Sequence, residues 1–332
     1  MKSSQHWFQF FSSVAIVLLM WLPQAPVTAE SGAYVWLEGE AGSSAFDVQR
    51  GGWGHPEFLS EERWIHVSVE ADQVEGGLPE GGIVIDYDFE IEKAGAYEVW
   101  DRIGFEFARS TFEWRGDDGG WAAVTADELT TDCVPLDFWC EVAWLKLGAA
   151  ELSAGPHRLQ IRLPKLRKAD GGWERVLYAS DALCLYAGSF RPDFKYRPGG
   201  RERTESDRAA AEHRFELPTA PGGQRAMVRL DGLWEVARAD EQLPGRVDEP
   251  IAELPEAPVW SAIPVPSDRN VVREDLIFAH RLWYRTRVAV PATMAGRSFF
   301  IDFPSNNLNT TVYVNGVLCG FERNPFVPFQ VD

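Results

Sequence analysis

The sequence predicts an all-β chain made of two β-sandwich domains, the second incomplete at its C-terminus. Three observations carry that reading. Apolar residues recur at every second position in several short runs, which is the period of a strand with one buried face. Twenty-nine glycines and 21 prolines punctuate those runs. Asn315-Gly316 separates two of them as a two-residue turn that tolerates positive φ.

In the first domain Ile83, Ile85, Tyr87 and Phe89 alternate with Val84, Asp86, Asp88 and Glu90. Leu159, Ile161 and Leu163 alternate in the same way with Arg158, Gln160 and Arg162. Two sheets packed face to face bury both apolar sets. Further on, Tyr284, Val288 and Val290 are expected to enter a core while Arg285 and Arg287 face out. Phe299, Ile301 and Phe303 repeat the pattern, as do Val312 and Val314, and the Asn315-Gly316 turn leads from Val314 to Val317-Leu318. Phe326, Val327 and Phe329 begin another extended segment just before Asp332. An incomplete sheet exposes an unpaired edge, so the expectation is a truncated coding sequence or a missing downstream region.

A chain of 332 residues with 45% hydrophobic content is long enough for two ordinary cores. Residues 1–29 read as an export signal: Lys2, a mostly apolar run from Phe8 to Leu22, then the small-residue site Val27-Thr28-Ala29. The mature chain is then expected outside the cytoplasm, secreted or periplasmic, with no membrane span after cleavage. Ser12 and Ser13 interrupt the apolar run, which argues against a retained anchor. Residues 30–189 form the first domain. Residues 190–224, bounded by Pro and Gly and mixed in charge, read as a linker in which Ser206 to Arg214 forms a helical turn or two. Residues 225–332 form the second domain.

The formal charge is −18, and nearly all of it falls in the first domain. Such a surface repels phosphate backbones, which excludes nucleic acid as a partner. Of four cysteines, Cys133 and Cys140 are close enough in sequence to pair across a small loop; four buried thiols are the alternative. Metal-protease, phosphate-loop, nucleophile-elbow and Cys-x-x-Cys patterns are absent.

Asp231-Gly232-Leu233 followed by WEVARAD, then VWSAIPVPSD, LWYRTRVAVP, VYVNGVLCGF and PFVPFQVD, resemble the N-terminal sugar-binding domain of glycoside hydrolase family 2. That family contains β-galactosidases, β-glucuronidases and β-mannosidases. The resemblance spans 225–332 and implies a jelly-roll, galactose-binding-like sandwich. In the family an immunoglobulin-like sandwich follows, then a barrel carrying two catalytic glutamates; neither lies within these 332 residues, so the resemblance implies binding without catalysis. It also places Glu322, Arg323 and Asn324 at the rim of the active site in a full-length enzyme. The alternative is a complete, non-catalytic secreted sugar-binding protein.

In the first domain VWLEGEA, GAYEVWDRIG, ELSAGPHRLQIRL and YASDALCLY resemble carbohydrate-binding modules of families 6 and 35. Such modules commonly hold a structural calcium ion where the first and last strands meet. By position the resemblance implies Glu38, Glu40 and Asp181 as its hard oxygen ligands, with a polysaccharide or glycoside as partner. Sugar rings stack on aromatic faces while polar groups fix their hydroxyls. Trp53, Trp64, Trp114, Trp121 and Trp173 lie in expected loops and are the candidate platforms, with Asp170 and Arg175 as hydroxyl partners of Trp173. Catalytic residues are expected to be absent.

Overall fold

The computed structural model describes residues 32–104, 110–125, 130–137, 140–220, 224–239, 259–279, 281–307 and 309–332. The expected export signal at 1–29 lies outside them. Contacts separate a first unit ending at Arg201 from a second beginning at Glu202. No helix among the described residues is long and apolar enough to cross a membrane.

The first unit is a sandwich of two antiparallel sheets. Its larger sheet has the strand order β2 (Gln49–Gly51), β3 (Trp64–Val69), β11 (Val176–Ala187), β5 (Gly95–Gly104), β9 (Cys140–Leu152) and β8 (Thr130–Asp137), with β1 (Tyr34–Glu38) also on β11. The smaller has the order β4 (Ile83–Ile91), β10 (Gly155–Leu163), β6 (Phe112–Gly116) and β7 (Ala122–Val124). The two alternating runs read from sequence are neighbours: Leu159 faces Tyr87, Ile161 faces Ile85 and Leu163 faces Ile83. All six are buried in one core with Val99, Phe112, Trp114 and Leu183. Each such side chain contributes roughly 1.5–3 kcal/mol by leaving water.

Strand β11 organises the larger sheet because both of its edges are used. β5 occupies one edge; the other is shared, with β3 pairing Val176 to Ser180 and β1 pairing Ala182 to Tyr186. Asp181 sits at the change of partner, where a bulge separates Ser180 from Ala182 in the ladder with β5. Its Oδ2 accepts a hydrogen bond from Arg102 Nη1 at 2.6 Å, and its Oδ1 accepts the Ser60 N–H at 2.8 Å. Both side chains are wholly buried. Arg102 Nη1 also donates to the Phe58 carbonyl at 2.9 Å, and its guanidinium stacks 5.2 Å from the Phe194 ring centre. Beside this pair, Asp101 accepts from Tyr178 Oη at 2.8 Å and Ser180 Oγ at 2.7 Å. Burial pushes Asp101 up to about 7, against the pull of those two hydroxyls.

Residues 190–201, expected to connect two domains, fold onto the first. Phe190 packs against Trp100, Trp144 and Tyr186. The Phe194 carbonyl accepts from Trp144 Nε1 at 2.8 Å. Cys133 and Cys140 are not joined in a disulfide. Val134 faces Val142 across the ladder. Cys140 lies two residues from Val142 and shares its face, while Cys133 is one residue from Val134 and points to the other.

In the second unit a helix, Glu205–Glu212, starts with a capping box in which Thr204 and Asp207 exchange side-chain and backbone bonds. β12 (Phe215–Glu216) runs parallel to β16 (Val288–Ala289), and β13 (Gly232–Arg238) pairs with β14 (Ser261–Val265) and β15 (Leu282–Arg285) around a core of Trp234, Val236, Ile263, Leu282 and Val288. Arg285 and Arg287, expected to face out, turn instead to the buried carboxylate of Glu235. Arg285 reaches it through two bonds of 2.6 and 2.8 Å, and Arg287 approaches at 3.4 Å. The strand ends at Arg285, so period-2 alternation does not run on to Val290. A second small core joins β17 (Ile301–Phe303) and β20 (Phe329–Val331) to Val312. β18 (Thr310–Val314) and β19 (Val317–Glu322) form the expected hairpin, with φ of +51° at Asn315 and +79° at Gly316.

Two measurements check these points. Gly316→Val places a β-branched side chain in the left-handed region and should destabilise the second unit by about 1–2 kcal/mol in urea titration; an unchanged midpoint contradicts the turn. Asp101 has a folded pKa raised from 3.8 to about 7, so its contribution to stability is full below about pH 4 and is lost as pH rises through about 7. Asp101→Asn removes that titration. Its stability should rise relative to the native chain by up to about 1.4 kcal/mol per pH unit across that window, and parallel curves for the two proteins would contradict an ionisable Asp101.

Candidate functional site

Two short 3₁₀ turns, Pro56–Phe58 and Ser60–Glu62, precede β3 and stand against the segment 190–201. Between them lies a groove of about 560 Å³ lined by Ser60, Glu61, Glu62, Lys195, Tyr196, Arg197 and Gly200. That volume lies in the ordinary range of small-ligand sites.

The turns are held from below and from the side. Asp181 fixes the Ser60 N–H and Arg102 fixes the Phe58 carbonyl, while Leu59 is fully buried between them. Lys195 Nζ donates to the Glu57 and Leu59 carbonyls at 2.6 and 3.1 Å. On the far wall, Arg201 pairs with Asp193 at 2.8 Å and its guanidinium lies 5.4 Å from the Tyr196 ring centre. Arg197 reaches Glu38 at 2.7 Å.

Within this frame Glu61 and Glu62 take φ of +47° and +58°. Two consecutive non-glycine residues in the left-handed region cost of order 1 kcal/mol or more each and persist only where neighbours over-determine them. The result is a pair of exposed carboxylates with no hydrogen-bond or ion-pair partner among the described residues. A half-buried phenol ring, two carboxylates, an arginine and a serine therefore converge on one polar depression. Its hydrogen-bonding acceptors and donors match a polyhydroxylated ligand better than an apolar one.

The tryptophans expected to line a sugar site divide into two groups. Trp64 is fully buried and Trp114 is 7% exposed, with its Nε1 donating to the Leu147 carbonyl at 3.0 Å. Both are core residues, because β3 and β6 run through the positions expected to be loops. Trp53 stacks on Trp64 with ring centres 6.4 Å apart and is half-buried. Trp121 and Trp173 are also half-buried and carry cations on their rings: Arg115 and Arg162 at 4.4 and 4.2 Å, and Arg167 and Lys165 at 3.6 and 5.2 Å. Asp170 is occupied by the Gly172 N–H in its own turn, and Arg175 pairs with Glu70 at 2.7 Å. Of the seven candidates, Trp53 and Trp64 touch each other, and Trp121, Trp173, Asp170 and Arg175 are each held by residues outside the set.

The triad expected for calcium is not assembled either. Both oxygens of Asp181 are engaged, by the Ser60 N–H and the permanently charged Arg102. Glu38 Oε1 accepts from Trp36 and Arg197. The second oxygens of Glu38 and Glu40 are buried without a partner, and burial raises the Glu40 pKa. No group of three His, Cys, Asp or Glu residues among the described ones is placed to hold a metal ion. A guanidinium stands beside Asp181 where a cation was expected. In the second unit Glu322 accepts from the N–H groups of Arg323 and Asn324 at 2.8 Å each, so the three expected rim residues close one exposed turn.

The groove residues escaped the sequence reading because 190–201 looked like a linker. The usable signal was an aromatic-basic run, Phe194-Lys195-Tyr196-Arg197, between Pro192 and Pro198.

No protein-family model matches the chain, and no curated protein does. Several solved structures are similar to it. One is a mannanase of Podospora anserina joined to a family 35 carbohydrate-binding module, at 16% identity and a TM-score of 0.31, covering 51% of this chain and 30% of that one. Others are a family 35 carbohydrate-binding module from Clostridium thermocellum, at 12% identity and a TM-score of 0.30 over 46% of this chain and 98% of that one, and the C-terminal family 6 module of a laminarinase from Zobellia galactanivorans, at 13% and 0.30 over 46% and 99%. The chain thus spans under a third of the mannanase, and each of these is a likeness at low identity.

Proposed function

We propose that this chain is the carbohydrate-binding portion of a secreted glycoside hydrolase family 2-like enzyme, and that the groove at Ser60–Glu62 and 195–200 is the sugar site of its first unit. The observation that carries the reading is the pair of free carboxylates, Glu61 and Glu62, held in strained backbone opposite Tyr196. Carboxylates accept from adjacent sugar hydroxyls, Arg197 donates to a ring or hydroxyl oxygen, and the phenol ring offers an apolar face. The motifs in 225–332 and the Asn315-Gly316 hairpin support the family 2 assignment of the second unit.

Glycoside hydrolysis ordinarily needs two carboxyl groups held on opposite sides of the scissile bond, about 5–10 Å apart. Glu61 and Glu62 are neighbours in one turn, and the groove's other lining residues include no carboxylate to stand across from them, so their role here is recognition.

The test uses the protein beginning at Glu30, which is also the N-terminus expected on exported material by N-terminal sequencing. Affinity electrophoresis against neutral galactan, mannan and glucan should show retardation by at least one polymer. Tyr196→Ala and the double change Glu61→Gln with Glu62→Gln should each weaken it at least tenfold, and aryl β-galactoside, β-glucuronide and β-mannoside should not be turned over. Retardation that survives both variants moves the site elsewhere, and hydrolysis by this polypeptide contradicts the assignment of a binding role.

A further inference from the structure

The solvent face of the smaller sheet carries a second arrangement that the groove does not use. Register sets Gln160 beside both Asp86 and Arg115, and Arg162 beside Glu113. Trp114 and Ile161, next to them along the strands, point into the core, so this polar set faces out. Trp121, in the connection between β6 and β7, lies against it. The guanidinium carbons of Arg115 and Arg162 sit 4.4 and 4.2 Å from the centre of its ring.

Each guanidinium is anchored through one atom. Arg115 Nε donates to Gln160 Oε1 at 2.6 Å, and Gln160 Nε2 in turn donates to Asp86 at 2.6 Å. Arg162 Nε donates to Glu113. The terminal amino groups of both arginines have no acceptor among the described residues. Two positive groups therefore share one indole, with a single carboxylate, Glu113, bonded to either of them. Packing Trp121 alone would need neither the second arginine nor the relay through Gln160. The relay fixes the plane of a fork whose outer edge is free to bind an oxyanion with two parallel N–H donors. The domain's net negative charge gives no long-range attraction for an anion, so recognition here rests on the short-range bidentate bonds of the fork to one substituent.

We propose that Arg115 and Arg162, held by Trp121, form a second ligand site that takes a carboxylate or sulfate substituent of an acidic polysaccharide. The choice of a polysaccharide rests on the carbohydrate-binding reading above; the oxyanion chemistry does not. Neutral glycans belong to the groove, and the sheet face adds preference for chains bearing uronic acids or sulfate esters. Two sites on one unit also allow one long chain to bind at both, with gain in avidity.

The experiment titrates the protein beginning at Glu30 with oligogalacturonate, a sulfated galactan oligosaccharide, neutral galactan and polyglutamate, at two salt concentrations. Arg115→Met and Arg162→Met keep the aliphatic packing on Trp121 and remove the fork, and thermal melting confirms that each variant folds. Binding of the carboxylated or the sulfated oligosaccharide should weaken tenfold or more in each variant and fall with salt, and the stronger of the two identifies the substituent. Arg115→Lys should restore little of it, because an ammonium lacks the fork. Neutral galactan, which belongs to the groove, should bind both arginine variants as it binds the native chain, so a failure of the groove reading is visible separately. The proposal is overturned if neither acidic oligosaccharide binds, if both arginine variants bind as the native chain does, or if polyglutamate binds equally well.

Discussion

The buried pair of Arg102 and Asp181 is the constraint on which the first unit depends. Taking two charges out of water costs several kcal/mol each, and only close approach with further hydrogen bonds returns it. The structure meets that condition in part by turning the same two side chains to the backbone, Asp181 to the Ser60 N–H and Arg102 to the Phe58 carbonyl, while Arg102 Nε and Nη2 stay buried with no acceptor among the described residues. The pair thus ties the bulge in β11 to the turn before β3. Breaking one partner leaves the other charge buried, which is far more disruptive than losing an exposed ion pair. It also explains why a turn with two left-handed glutamates survives, since the residues just before them are fixed from inside the protein.

Much of the sandwich was legible because burial and period coincide. Ile83, Ile85 and Tyr87 announced a half-buried strand, as did Leu159, Ile161 and Leu163, and the two proved to be partners in register. Asn315-Gly316 announced its hairpin for the same local reason, since few other residue pairs accept two positive φ values. The Phe112-Glu113-Trp114-Arg115 alternation carried the same message. It runs against the expectation that Trp114 lies in a loop, and Trp114 lies in the core.

The candidate site was less legible because it is made by contacts distant in sequence. Nothing local to Asp181 reveals that Arg102 rather than a metal ion answers its charge; that depends on β5 lying beside β11. Nothing local to Tyr196 reveals that Phe190 and Phe194 fold the segment back onto Trp144. A stretch rich in proline and glycine has the same composition whether it spans two domains or lines one. Likewise Arg285 reads as a solvent-facing strand residue until Glu235 is placed opposite it. Polar residues that satisfy one another inside a fold leave no periodic trace.

The shared edge of β11 has a consequence for the order in which the unit can form. β11 is the last strand of its sheet in the sequence, yet β1, β3 and β5 all pair with it, and Tyr34 meets Tyr186. A chain synthesised from its N-terminus holds the first strand without its partner until nearly the whole unit has been made. The smaller sheet has a shorter wait, since β4 and β10 need only Leu163. Closure of the larger sheet is therefore a late, long-range event, which slows folding because the loop entropy is lost before the contacts form. In that interval the aromatic outer face of the sheet, with Trp36 and Trp100, has no Phe190 to cover it.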